Sequence, residues 1–293
     1  MGGRARSTPL TVVLPVRRSW ALWLRAMWAR SRVMRRLTGR PPLGSLALAS
    51  IGFAHWALLE RMPANAPGGR RLPYSYLVFQ SNFAGTRDAY IETFCFVIPW
   101  IMRGLWTGIY GTPSVRPVGR FQRYVEEADI PPAHYWSAYP EASTAMILAA
   151  LRAHGDTPVP GTPEGFCSVV PIRAGRLGSV VAELTALPDG AGSPFARVPG
   201  THFGRFVVVP SLADKHGHAI GPDAHLLVAT EFDGPLDDHL DRLEVLADLG
   251  VWRHCEGAGG DLRASLLAHR VRPGYSFAGY PEATVERVRE VLS

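Results

Sequence analysis

Lysine is almost missing from this chain: Lys215 is the only one among 31 basic residues. Positive charge is therefore nearly all arginine, and the formal net charge of +6 does not by itself mark a nucleic-acid surface, which needs a basic stripe interleaved with aromatics. Acidic residues are absent before Glu60, whereas ten arginines lie between Arg4 and Arg40. The three cysteines, Cys95, Cys167 and Cys255, stand far apart, which excludes a disulfide framework and a zinc spacing and fits a reducing cytoplasm. No apolar run is long enough to span a bilayer. A secretory signal is not expected, because Arg25 interrupts the first apolar stretch. G-x-S-x-G, H-E-x-x-H, P-loop and dinucleotide motifs are all missing, and Gly257-Ala-Gly-Gly260 has the spacing of a turn.

What the chain does contain is itself, twice. Thr11-Val-Val-Leu-Pro-Val-Arg17 parallels Cys167-Ser-Val-Val-Pro-Ile-Arg173 at an offset of 156 residues. Gly52-Phe-Ala-His-Trp56 parallels His202-Phe-Gly-Arg-Phe206 at 150, and Tyr76 to Gly85 parallels His225 to Gly234 at 149. Gly104-Leu-Trp106 parallels Gly250-Val-Trp252 at 146, and Ala138-Tyr-Pro-Glu-Ala-Ser143 parallels Gly279-Tyr-Pro-Glu-Ala-Thr284 at 141. The order is kept and the offset shrinks only where loops differ, so the spacing predicts two copies of one module. With 293 residues, each copy is long enough to bury its own core. The first module is placed at 8–153, a Pro/Gly-rich linker at 154–165 and the second module at 166–293.

Periodicity in the second copy predicts strands at Ser168–Ile172, Phe203–Pro210, Leu226–Phe232 and Val251–Glu256, with helices at Arg176–Leu187 and Asp237–Leu249. A helix at Asp261–His269, a strand at Tyr275–Tyr280 and a helix at Ala283–Leu292 follow. The fold class is thus α+β: two βαββαβ modules, each with an added C-terminal helix, strand and helix. The segment Leu227-Val-Ala-Thr-Glu-Phe-Asp-Gly-Pro-Leu-Asp-Asp-His-Leu240 resembles the third strand and second helix of the ferredoxin-like, dimeric α/β-barrel superfamily. That superfamily includes cofactor-free antibiotic-biosynthesis monooxygenases and the haem-binding dye-decolorising peroxidases and chlorite dismutases. The resemblance implies an intramolecular pseudo-dimeric barrel in which the second and fourth strands of each module are edges covered by the other module.

Histidine carries the functional signal, since one copy serves as a control for the other. His202, His225, His239, His254 and His269 stand opposite Gly52, Tyr76, Tyr90, Gly108 and Ala128. On a strand over 251–256, alternation would put His254 and Glu256 on one face and Cys255 on the other, which disfavours a Cys/His nucleophile. Arg205, opposite His55, is a charge in an apolar strand and needs a partner, for which Glu231 and Glu256 are the candidates. His239 lies in a polar helix face and is expected at the surface; His216 and His218 are expected in a loop. In the segment after Arg17, Trp20, Trp23, Leu24, Met27 and Met34 form a stripe expected to pack on the sheet, with Arg18, Arg25, Arg32 and Arg36 opposite.

The site expected from these residues is His202, Arg205, His254 and Glu256, with His202, His254 and Arg205 holding a cofactor. The haem branch of the resemblance implies haem, or another large flat ligand, in an oxidoreductase. The other branch implies a cofactor-free monooxygenase or cyclase of a polyketide-like substrate. A non-catalytic binder of an apolar ligand, or a protein held at an anionic membrane by its arginine-rich helix, is the third option. The expected partners are a small apolar or aromatic ligand and no nucleic acid, with homo-oligomerisation open; the expected location is the cytoplasm, with peripheral membrane contact as the variant. No metal site is expected.

Overall fold

The computed structural model describes residues 7–38, 51–66, 68–97, 99–221, 223–258 and 260–293, with the backbone alone at 38, 100 and 101. Arg4, Arg6, Arg40 and Gly259 lie outside the described residues. The first half runs through β1 (Ser7–Val16), α1 (Arg18–Thr38), β2 (Ile51–Met62), β3 (Arg70–Ala84), α2 (Arg87–Val97), α3 (Pro99–Trp106), α4 (Val118–Ala128), β4 (His134–Ser137) and α5 (Thr144–Ala153). The second half contains β5 (Gly165–Pro171), α6 (Leu177–Thr185), β6 (Thr201–Val209), β7 (His225–Phe232), α7 (Leu236–Leu243), α8 (Leu262–Ala268), β8 (Pro273–Ala278) and α9 (Val285–Leu292).

The strands form two antiparallel sheets of four, ordered β1-β3-β2-β8 and β5-β7-β6-β4. Each sheet takes three strands from one half and its fourth from the other. The last strand of the first half, β4, pairs with β6, with Tyr135 opposite Arg205, while β8 pairs with β2, with Ser276 opposite His55. A sheet edge left open offers unpaired N–H and C=O groups, and here the free margins of β2 and β6 are closed by exchange. The linker joins in, since Gly161 bridges Ala278 with hydrogen bonds in both directions.

Backbone bonds recur between the halves at the offsets of the repeated phrases. Ile130 N–H donates to Thr11 O as Val271 N–H does to Cys167 O, and Tyr110 N–H donates to Pro15 O as Glu256 N–H does to Pro171 O. β2 and β6 carry a register shift at the same place, between Ile51 and Phe53 and between Thr201 and Phe203. The shared Tyr-Pro-Glu-Ala phrase ends in helix caps: the Ser143 side chain accepts from Met146 N–H and that of Thr284 from Arg287 N–H, contributions of about 1 kcal/mol each.

Two features depart from the sequence reading. The segment expected to be a fourth strand, Val251–Glu256, is a 3-10 turn over Gly250–His254 that joins the sheet through an isolated bridge of Cys255 with Ile172 and packs Trp252 on Phe206 of β6. Its donors are taken locally: Trp252 N–H bonds Leu249 O, Cys255 N–H bonds Trp252 O, and the Trp252 indole bonds Leu246 O at 2.6 Å. The strand-face assignment of His254 and Glu256 therefore fails, and β2 and β6 are interior strands instead of edges. On α1 Ala21, Leu24 and Trp28 are buried and the expected Trp20 and Met27 pack beside them, while Trp23 and Met34, expected in the core, are exposed.

Alternation decides what lies between the sheets. On β3 and β7 the residues Leu77, Phe79, Leu226 and Val228 join the cores under the helices, while Val78, Leu227 and Ala229 meet Leu59, Val207 and Val209 in a core shared by both sheets. Gly274 lets Trp28 of α1 lie on β8, because a Cβ there would sit 1.9 Å from the buried indole ring. Gly274→Ala is expected to destabilise the protein by about 1–3 kcal/mol through overpacking, measured as a lowered urea midpoint at unchanged m-value.

Candidate functional site

The space between the sheets holds three polar groupings in succession. At one end, His202 occupies the register shift of β6 and is buried. Its Nε2 lies 2.8 Å from Asp233 Oδ1 and its Nδ1 is 2.5 Å from the Tyr139 hydroxyl, which is 3.2 Å from that of Tyr280. A carboxylate only accepts, so Nε2 carries the proton and Nδ1 accepts from Tyr139. Asp233 is positioned in turn by Val285 N–H, 2.8 Å from its Oδ2. Burial, with Tyr280 close by, holds the Tyr139 phenol well above its ordinary range, so it remains a donor.

In the middle, Arg205 of β6 is fully buried. Its Nη2 donates to Asn82 Oδ1 at 2.6 Å and lies 3.7 Å from Glu231 Oε1, while Nη1 donates to Leu10 O at 3.2 Å. Glu231 is the expected partner, and Glu256 is not. Burial pushes the Glu231 carboxyl up and the guanidinium pulls against it. His55, the counterpart of Arg205, bonds Ser276 Oγ through Nδ1 at 2.9 Å. Burial, reinforced by the Arg205 charge, lowers its pKa to about 3, so its 3.6 Å approach to Glu231 is not an ion pair at neutral pH.

The other end opens into a cavity of about 440 Å³ where β3 and β7 begin. Met62, Leu72, Ile172, Leu212 and Ile220 are its apolar lining; Arg70, Tyr76, Asp223, His225, Glu256 and His269 supply the polar groups. His225 and His269 are both more than nine-tenths buried. His269 Nδ1 donates to Ser265 O at 2.9 Å, which fixes the tautomer and leaves Nε2 with the lone pair. His225 Nδ1 is buried and has no hydrogen-bond partner among the described residues. Desolvation lowers the His225 pKa to about 4, with Asp223 opposing and His269 adding to the fall, so the ring is neutral near pH 7.

The four expected site residues are thus placed apart. His202 and Arg205 share a strand but serve separate clusters. His254 sits on the 3-10 turn, 3.1 Å from Glu183 Oε1. Glu256 alone lines the cavity. Haem does not fit the residues named for it: both ring nitrogens of His202 are engaged, Arg205 is sealed in the core, and His254 does not line the cavity. Among the described residues no group of three or more His, Cys, Asp or Glu could hold a metal ion.

His239 is a further correction. It is buried, stacked on Phe232 at 3.7 Å and bonded to Thr230 Oγ1 at 2.7 Å, because α7 turns that face inward. His216 and His218 lie in the expected loop, where their N–H groups donate to Asp214 Oδ1. Sequence reasoning missed Tyr139 and Asp233. Asp233 stands opposite Ala84 as His202 stands opposite Gly52, and two differences arising together are the signal that could have paired them.

No family model matches the chain, and no curated protein matches it in sequence. Among solved structures it is similar to a provisionally named monooxygenase from Fusobacterium nucleatum subsp. nucleatum, at 6% identity and a TM-score of 0.33, covering 95% of this chain and 93% of that one. It is also similar to an anthrone oxidase-like protein, at 11% identity and a TM-score of 0.24, covering 94% and 90%. At this level of likeness the chemistry has to be read from the site.

Removing the guanidinium strands Glu231 in the core. Arg205→Leu is expected to cost about 3–5 kcal/mol, and adding Glu231→Leu to recover a large part of it, as a double-mutant cycle in urea would measure. Additive losses would count against the pairing.

Stability should also depend on acid. Burial is the main cause holding His55 and His239 near about 3 and His225 near about 4, against about 6.5 in an unfolded chain. Between these limits the unfolded chain binds more protons, so stability is complete above about pH 6.5 and falls as pH drops toward 4. Unfolding midpoints that hold level across this window would contradict the neutral, buried rings.

Proposed function

We propose that the protein is a cofactor-independent oxidative enzyme of small molecules, working in the cavity bounded by Tyr76, His225, Glu256 and His269. In this reading the halves are copies of one ferredoxin-like module, and the space between the sheets is the interior of a dimeric α/β barrel. Support comes from the recurring backbone bonds and from the likeness of Leu227–Leu240 to that superfamily.

One observation carries the chemistry: two buried imidazoles share a cavity wall, one with its tautomer fixed and the other with an unpaired ring nitrogen. Leaving a buried polar atom unpaired costs about 1–3 kcal/mol, an arrangement that makes sense where a ligand completes it. Leu72, Leu212 and Ile220 suit the rings of an aromatic or polyketide-like molecule, Arg70 and Asp223 its polar substituents, and a volume of about 440 Å³ suits one of modest size.

His269 is the base. Its Nδ1–H bond to Ser265 aims the ring, and Nε2 takes a proton from an acidic C–H of the substrate. His225, neutral and close by, hydrogen-bonds the oxygen on which charge develops. The stabilised carbanion then reacts with dioxygen. A methylene becomes a carbonyl, one oxygen atom enters the substrate, the other leaves as water, and the methylene supplies all four electrons.

Oxygen uptake with enolisable polycyclic phenols tests this. Uptake is expected in the presence of a chelator, at one dioxygen per substrate, with kcat lowered by about 10²–10⁴-fold in His269→Gln. Full turnover in that variant, or activity that tracks a Soret band, would overturn the reading.

A further inference from the structure

Helix α1 is apolar on the side that faces away from the protein. Opposite its packed residues, Leu22, Val33 and Leu37 are 64%, 54% and 76% exposed, and Trp23 beside them is 40% exposed. At 3.6 residues per turn, Leu22, Ala26, Ala29 and Val33 fall on one line along the axis, and Leu37 continues it. Arg18, Arg25, Arg32 and Arg36 run along one flank of this stripe and Arg30 along the other, all exposed, and the helix has no acidic residue. Arg25 pairs with Glu60 of β2, and Arg32 reaches Gly274 O of β8.

On the arginine flank, a recess of about 100 Å³ opens between α1 and β8, lined by Ser31, Arg32, Arg35, Thr162, Gly274 and Tyr275. The guanidinium groups of Arg32 and Arg35 and the hydroxyls of Ser31 and Thr162 at its wall match the oxygens of a phosphate group.

We propose that this outer face of α1 docks on a membrane leaflet rich in anionic phospholipid. The stripe enters the boundary of the acyl chains, the arginine stems lie along it with their charges at headgroup level, and the recess takes one lipid phosphate. Charge selects this occupant over a second copy of the chain. A symmetric pair joined by the same face would set one arginine array against another, whereas an anionic surface neutralises both flanks. Among the described residues no helix is long and apolar enough to cross a membrane, so α1 lies along the surface.

The test is sedimentation of the full chain with phosphatidylcholine vesicles, with and without phosphatidylglycerol. Binding is expected only with the anionic lipid and should weaken as salt rises. The exposed double substitution Leu22→Asp with Leu37→Asp, and separately Arg32→Ala with Arg35→Ala, should each lower the partition coefficient at least tenfold, with the urea midpoint of each unchanged. Absence of binding at low salt, equal binding to both vesicles, or parental binding by the double variants would overturn the proposal. So would a lipid-free dimer that Leu22→Asp with Leu37→Asp dissociates, because a second copy would then own the face.

Discussion

Hydrogen bonding at the margins of β2 and β6 is the constraint on which the remaining structure depends. Each half folds three strands of its own and leaves one long margin open, and the strand that closes it comes from the far end of the other half. Once β4 lies on β6 and β8 on β2, the two halves of the chain cannot separate without breaking both ladders, one in each of the two sheets. Their helix-free faces then share Leu59, Val207, Leu227 and Val209 as one core. The polar centre and the open end are products of that apposition, since neither sheet alone encloses them.

The polar centre shows why matched positions of the two halves carry unlike groups. His55 and Arg205 occupy equivalent places on β2 and β6, and Asn82 and Glu231 on β3 and β7. Arginine at both of the first pair would set two like charges close together in a dry core, and glutamate at both of the second would do the same with opposite sign. Arg205 and Glu231, with an imidazole and an amide at the other two positions, place one ion pair there and no pair of like charges. His55 is held neutral by its burial and, secondarily, by the Arg205 charge.

Much of the architecture was legible in the sequence, because repeated phrases carry local signals: Pro15 and Pro171 near strand ends, Ser143 and Thr284 as caps, alternation along Leu226–Phe232. The exchange of β4 and β8 was not, since a strand's pattern tells which face is buried and not which neighbour it pairs with. The segment at 251–256 misled because Val251, Arg253 and Cys255 alternate with their neighbours as a strand would, while the backbone N–H groups of Trp252 and Cys255 bond carbonyls three residues back. At the site, the demand of Arg205 for a carboxylate was legible and Glu231 meets it. His225 and His269 stood out as unmatched imidazoles, but the cavity that gives them meaning is built from Met62, Leu212 and Ile220, which come from the end of β2 and the loop after β6 and leave no pattern of their own.

The position of the cavity bears on why a fused pair would be useful. Tyr76 of β3 and His225 of β7 stand at matching registers, opposite Pro15 and Pro171, and both line it. A cavity lying between equivalent residues would have identical walls in any dimer of identical chains. In a single chain the two walls vary independently, so a tyrosine that donates to Ala213 O can face an imidazole whose Nδ1 has no partner. In the proposed chemistry the proton acceptor and the group that stabilises charge are both imidazoles of the second half, and the first half faces them with Tyr76 in place of a third. On the proposed duplication, fusion supplies that asymmetry without disturbing the strand exchange that holds the walls together.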